Sequence, residues 1–108
     1  MIVIVSRFLL PKRAVGLTVF PFIILRCAEN KTDERLINHE KIHIRQQLEL
    51  LIIPFYIWYV ADFFIKYLKY KNVNQAYLNI VFEREAYAMD HNLTYLKHRK
   101  WFSFKNFF

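Results

Sequence analysis

Residues 35–51 read "RLINHEKIHIRQQLELL", and taking this stretch as a helix decides how the rest of the chain must fold around it. Thr32 or Asp33 supplies an N-cap just ahead of it, and acidic residues fall in the first turn, where the helix dipole favours them. Pro54 supplies the stop, so the expected helix runs from about 33 to 52. Within it, "NHEKIH" (38–43) sets two histidines four apart with a glutamate directly after the first. Residues four apart project from one helix face, so His39 and His43 can bite one metal ion. Glu40 is rotated about 100° from His39, enough to address a water on the metal without ligating it. Two neutral imidazoles on a rigid scaffold, with a carboxylate beside an open position, are what a hydrolytic zinc site needs.

On either side of this helix the pattern changes. The first 27 residues are rich in β-branched and aromatic types, and "MIVIVS" (1–6) and "LTVFPFIIL" (17–25) read as strands joined through "LPKRAVG". Pro11 and Gly16 punctuate that connection, while Pro21 inside the second run suggests an edge strand or a bulge. The strand around Val19 to Leu25, if it forms an open edge, would suit an extended peptide. Downstream, a strongly apolar helix is expected over about 55–70. After the polar break "KYKNVNQ", a third runs over about 74–97 with Leu78, Phe82, Ala86, Met89, Leu93 and Leu96 at helical spacing. The aromatic C-terminal tail should pack back onto the body. Short N-terminal strands, as a hairpin or small sheet, followed by three helices make an α+β fold.

Bulk composition narrows the function classes. At 108 residues the chain suits one domain, and 56% hydrophobic residues give ample material for a core. A single cysteine, Cys27, rules out an internal disulfide and a four-cysteine zinc finger. It is expected as a small buried hydrophobe, in a protein of a reducing, cytoplasmic compartment. The net charge is +7, but the charges are scattered and no RNA-binding aromatic motif is present, so nucleic acid is not expected as a partner. The nearest approach to a basic run, "KHRK" (97–100), reads as a solvated face. "LLIIPFYIWYVA" (50–61) is 12 residues without a charge, against the roughly 20 that a membrane span needs. Peripheral contact with a membrane surface stays open, because this segment and "KWFSFKNFF" mix aromatics with nearby lysines.

A catalytic zinc needs a third protein ligand, and "FEREAYAMD" (82–90) offers Glu83 and Glu85 on the third helix. The apolar stripe through Phe82, Ala86 and Met89 includes Glu85, so the burial pattern favours that residue. H-E-x-x-H followed some forty residues later by a helical E-x-E-A segment resembles the gluzincin metallopeptidases. It is similar in pattern to their small-core members with a membrane-associated E-x-x-A-D signature, and the resemblance covers about 33–90. It implies a single zincin-like metallopeptidase domain over 1–108, with zinc held by His39, His43 and Glu83 and with Glu40 as general base. Glu83 takes the ligand position because Ala86 then falls three positions on. Tyr87 stands where the signature has its aspartate, the group that supports a ligand histidine from behind. Its hydroxyl is expected to take that role or to face the substrate oxyanion. Arg45 or Arg84 is expected to pair with whichever glutamate does not bind metal.

The expected function is therefore zinc-dependent hydrolysis of a peptide or protein substrate, with Glu40 and Tyr87 as the catalytic pair. Gln46 and Gln47 stand one turn past His43, where they either bond a ligand's second ring nitrogen or cover the helix surface. His91 could act as a proton or oxyanion partner or lie on the surface; His98 reads as solvated. Two alternatives compete with the enzyme: a non-catalytic zinc-binding protein, and a basic, aromatic-rich module that binds a membrane or a partner. Oligomeric state is not legible in the sequence.

Overall fold

A computed structural model describes residues 2–11 and 14–108, and the architecture is α+β. Three strands, β1 (Ile2–Val5), β2 (Gly16–Val19) and β3 (Phe22–Leu25), form a sheet in the order β1–β3–β2. Five helices follow: α1 (Glu34–Leu50), α2 (Ile52–Tyr70), α3 (Val73–Leu78), α4 (Val81–Met89) and α5 (Tyr95–His98). Met1, Lys12 and Arg13, from the stretches read as the first strand and its connection, lie outside the described residues.

The second apolar run is a hairpin, not one strand. Phe20 and Pro21, joined by a cis peptide bond, form a two-residue turn that pairs Val19 with Phe22 and Gly16 with Leu25. Pro21 therefore occupies neither an edge strand nor a bulge; lacking an N–H, it sits where no ladder bond is required of it. β3 becomes the central strand, parallel to β1 from Ile2↔Phe22 to Val5↔Leu25. With β3 paired on both sides, an extended peptide cannot add to Phe22–Leu25. The sheet edge nearest α1 is β2, and its outward groups are partly occupied. Gln47 donates to the Thr18 carbonyl (2.8 Å) and accepts from the Phe20 N–H (2.7 Å).

Asp33 caps α1 by accepting from the Leu36 N–H at 3.1 Å. α2 begins at Ile52, two residues ahead of Pro54, because proline is tolerated in a first turn whose N–H groups have no intrahelical partner. Leu51, at φ 65° and ψ 157°, makes the corner. The expected third helix is broken twice, into α3, α4 and α5. At the first break Asp62 of α2 accepts from the Val81 N–H (2.8 Å), and Lys66 donates to the Asn79 carbonyl (3.0 Å). At the second, Asn38 of α1 donates to the carbonyls of Asp90 (2.9 Å) and Asn92 (3.0 Å). Side chains from other helices thus satisfy the backbone groups that each break exposes.

Phe55, Ile80, Val81, Phe82 and Phe104 form the buried core cluster. The aromatic tail does fold back: Phe104 packs against Phe82 (5.0 Å between ring centroids) and Trp58 (5.4 Å). Arg99 anchors this tail and departs from the solvated reading of "KHRK". It is buried, donating to both oxygens of Glu85 (2.5 and 2.9 Å) and both of Glu49 (2.5 and 3.0 Å). His98 is exposed, as is Cys27, which therefore does not fill the core. The cysteine opens a polar 3-10 turn over Ala28–Thr32, where its N–H is taken by the Asn30 side chain (2.9 Å).

Burial pushes the Glu85 carboxyl up, but hydrogen bonds from Arg99, Tyr95 and Gln46 outweigh it and hold the group below its ordinary range. A carboxylate depressed in the fold stabilises fully above its unfolded value of about 4.3 and loses that contribution as pH falls through its folded value. Glu85→Gln is expected to cost about 3 kcal/mol at neutral pH, because it leaves buried Arg99 short of a charge. Urea titrations across the acid range should then show a shallower loss of stability in the variant than in the wild type.

Candidate metal centre

The inner face of α1 is buried and polar. Asn38, His39, Glu40, His43, Gln46 and Gln47 are all buried, an arrangement that survives only if each group finds a partner. Among the described residues, no buried side-chain nitrogen or oxygen lacks one. The partners come chiefly from α4, which crosses beneath and presents Glu83.

Three atoms converge. Glu83 Oε1 lies 3.1 Å from His39 Nε2 and 3.0 Å from His43 Nε2, and the two imidazole nitrogens are 3.2 Å apart. The hydrogen bonds behind these atoms define what the ring nitrogens carry. His39 Nδ1 faces the Asp90 carboxylate at 3.0 Å, which can only accept, so Nδ1 holds the proton. His43 Nδ1 faces Gln46 Oε1 at 2.8 Å. The Gln46 amide nitrogen is committed to donating to the Phe82 carbonyl (3.1 Å) and Glu85 (2.9 Å), so its oxygen must accept from His43. With both rings neutral, the two Nε2 lone pairs and a carboxylate oxygen point at one another. Three acceptors cannot satisfy each other; a cation or a proton must sit among them.

Without a metal, a proton fills that need. Burial works against charge on His43, but Glu83, by charge and hydrogen bond, with Glu40 and Gln46 adding, raises it to about 9. Burial likewise opposes ionisation of Glu83, and His43 and His39 outweigh it, driving the carboxyl far below the ordinary range. The fit to a metal can be judged from size. Zinc–nitrogen and zinc–oxygen bonds of about 2.0–2.2 Å in a tetrahedron place ligand atoms about 3.3–3.5 Å apart, close to the observed triangle. Charge agrees as well. Glu83 and Glu40 are buried carboxylates, and among the described residues neither Lys nor Arg forms an ion pair with either.

The surroundings orient the three converging atoms. Tyr59 of α2 donates to Glu83 Oε2 at 2.6 Å, leaving Oε1 for the histidines. Burial and the neighbouring Glu83 keep the Tyr59 phenol protonated far beyond the usual tyrosine range. Asp90 is itself held by Arg35 Nε at 2.6 Å. The far side of the His39 ring, where Tyr87 is one expected partner, is met by Asp90 instead. Seven positions past Glu83, two helical turns, it lies on the same face of α4, whereas Tyr87 is half exposed. Tyr87 stacks edge-on against the His39 ring (4.4 Å) and bonds Tyr77 through the hydroxyls (2.9 Å). Glu85 points away from the triangle to Arg99, not to Arg45 or Arg84, and reaches the site only through Gln46. Gln46 therefore supports His43, while Gln47 serves the sheet. His91 is exposed.

Glu40 Oε2 accepts from the Thr18 hydroxyl, and Oε1 lies so near Gly16 that a Cβ there would approach it to 2.8 Å. β2 is thus the wall against which this carboxylate is held. A cleft of about 810 Å³ opens from the cluster between β2, α2 and α3. His39, His43, Glu40 and Glu83 stand at its polar end, with Tyr59, Phe63 and other apolar and aromatic side chains along its walls. Tyr87 and Tyr77 also border it. Sequence reading missed Tyr59 and Asp90. Tyr59 carries no local signal, and Asp90 carries only its two-turn spacing from Glu83.

No known protein family, curated protein or solved structure matches this chain.

Metal analysis of the purified chain by mass spectrometry is expected to give about one zinc per chain, lost in His39→Ala and Glu83→Gln. Glu85→Gln should retain zinc with affinity lower by about tenfold, the usual cost of disturbing a group behind a ligand. Loss of zinc in Glu85→Gln alone would reassign the third ligand.

Proposed function

We propose that this chain is a zinc-dependent metallopeptidase, with His39, His43 and Glu83 as the metal ligands. The observation that carries this reading is the convergence of two imidazoles and a carboxylate on one point, with the second buried carboxylate, Glu40, at the same end of an open cleft. A zinc ion at that point supplies a Lewis acid for the scissile carbonyl and lowers the pKa of its water toward about 7.

The chain's own groups do the rest. Glu40 accepts a proton from the attacking water and returns it to the leaving amine nitrogen, so hydrolysis consumes one water and releases a carboxylate and an amine. Thr18 holds one oxygen of Glu40, and the bare Cα of Gly16 leaves room for the other. Tyr87 and Tyr77 border the cleft with their hydroxyls joined, and in this reading they donate to the developing oxyanion. Burial raises both phenols above the ordinary tyrosine range, with Glu83 and Glu40 adding, so they serve as donors and not as bases. Substrate reaches the site through a cleft walled by Tyr59, Phe63 and Phe64, which suits peptides with an apolar side chain beside the scissile bond. Along β2, the outward-turned peptide group of Gly16 is the one an extended backbone would meet, short of Thr18, whose carbonyl Gln47 and Tyr56 already occupy.

Glu40→Gln is expected to keep zinc and to lose about 10²–10⁴-fold in peptide cleavage, the usual contribution of a general base. Wild-type turnover in a zinc-loaded Glu40→Gln protein would sink the mechanism. Gly16→Ala should also retain zinc while lowering cleavage, since its methyl group displaces Glu40 and touches neither ligand histidine.

A further inference from the structure

Helix α2 is built inside out. Its charged residues are Asp62, Lys66 and Lys69, and the first two face the protein. Asp62 takes the Val81 N–H (2.8 Å) while Lys66 bonds Asp62 (3.1 Å) and the Asn79 carbonyl (3.0 Å). The opposite face carries Ile53, Ile57, Val60, Phe64, Ile65 and Leu68, exposed by 74, 66, 49, 60, 61 and 75% respectively. At 100° per residue these six span an arc of about 140°, and the only other residues within it are Pro54 and Ala61. A helix on a water-facing surface shows the reverse arrangement. An apolar stripe this long, without one polar group, marks a surface that something covers.

We propose that this face of α2 seats the protein on an anionic lipid bilayer, with the helix lying in the plane of the membrane surface. Three observations select that occupant. The exposed cations Lys69 and Lys71 stand at the C-terminal end of the stripe, beside the part-exposed Tyr67 and Tyr70. Cations next to aromatic rings are the residues that anchor a helix at headgroup level. The chain carries a net charge of +7, which acidic headgroups attract and a second copy, bearing the same charge, repels. Within the stripe itself no side chain carries a hydrogen-bonding group, so nothing along its length fixes the register that a soluble protein partner would need. No single described helix is long and apolar enough to cross a membrane.

Val60 and Phe64 belong both to the stripe and to the cleft wall. Docking therefore turns the cleft mouth toward the lipid, and this consequence rests on the peptidase reading above. The substrate class it names is a peptide segment lying at, or emerging from, the membrane surface. Docking itself does not depend on zinc or on catalysis.

The test is co-sedimentation of the full chain with phosphatidylcholine vesicles and with mixed phosphatidylcholine–phosphatidylglycerol vesicles, at low and high salt. The wild type is expected to bind the acidic vesicles, to bind neutral ones at least about tenfold more weakly, and to lose affinity with salt. Ile57→Glu/Leu68→Glu changes two side chains outside the cleft, and should weaken binding by about a hundredfold or more. Its circular dichroism and melting temperature should match the wild type, because both positions are solvent-facing. Lys69→Gln/Lys71→Gln should bind neutral vesicles as before and lose part of the preference for acidic ones. A wild-type chain that stays in the supernatant with acidic vesicles would overturn the proposal. So would binding that Ile57→Glu/Leu68→Glu leaves intact. A concentration-dependent dimer that this variant dissociates, with no vesicle binding by the wild type, would assign the face to a second copy instead. Vesicle binding in His39→Ala as in the wild type would confirm that docking stands apart from the metal; cleavage of soluble and vesicle-anchored peptides at equal rates would remove the substrate class alone.

Discussion

Three electron-rich atoms aimed at one point, His39 Nε2, His43 Nε2 and Glu83 Oε1, impose the constraint on which the rest of the structure depends. Their separations of 3.0–3.2 Å are repulsive unless positive charge lies among them, and each is held there by a bond on its far side. Asp90 and Gln46 take the Nδ1 protons of the two rings, and Tyr59 takes the second oxygen of Glu83. α1, α2 and α4 all contribute to this arrangement. The packing of α1 against α4 is thus set by polar geometry as much as by apolar contact.

Gln46 joins the centre to a second buried system. One end of its amide accepts from His43, and the other donates to Glu85, whose charge is matched by Arg99 from the C-terminal segment. Rotating that amide would place its donors against His43 and its oxygen against Glu85, losing both bonds. The Arg99–Glu85 pair therefore fixes the orientation of a group that in turn fixes a histidine tautomer. Through the same arginine the aromatic tail is locked onto α1 and α4, so the tail's packing and the state of the cluster are coupled. Here Glu85, carrying a buried charge without touching the cluster, acts on the site from one residue away.

The two faces of α2 serve different ends. Inward, Tyr59 completes the cluster while Asp62 and Lys66 cap the break between α3 and α4. Outward, the stripe from Ile53 to Leu68 offers only apolar side chains, with the polar Lys69 and Tyr70 following at its C-terminal end. With Asp62 and Lys66 turned to the interior, the stripe itself holds no side chain that can bond water. The cleft wall and the exposed stripe share Val60 and Phe64.

Much of the site was legible along the chain, because an i, i+4 pair on a helix needs no tertiary information to share a face. His39, Glu40 and His43, the helix bearing them, its Asp33 cap and the strand-then-helix order all follow from local periodicity and capping chemistry. Glu83 against Glu85 did not. A single turn of α4 buries both carboxylates, about 200° apart around the axis, and only the positions of Arg99, fourteen residues on, and of α1 above decide which one faces the histidines. The breaks in the third helical run were equally hidden, since its apolar spacing continues through 79–80 and 90–94 while the groups that satisfy the exposed peptides come from Asp62, Lys66 and Asn38. Asp90, bonded to the His39 ring where the resemblance put Tyr87 in one of two expected roles, is a further case. Local sequence determined which side chains could bind a cation, because spacing on one helix is a property of that helix alone. Tertiary structure decided which groups complete and orient the set, because a buried charge or an open peptide is satisfied by whatever lies nearest in space, at any distance along the chain.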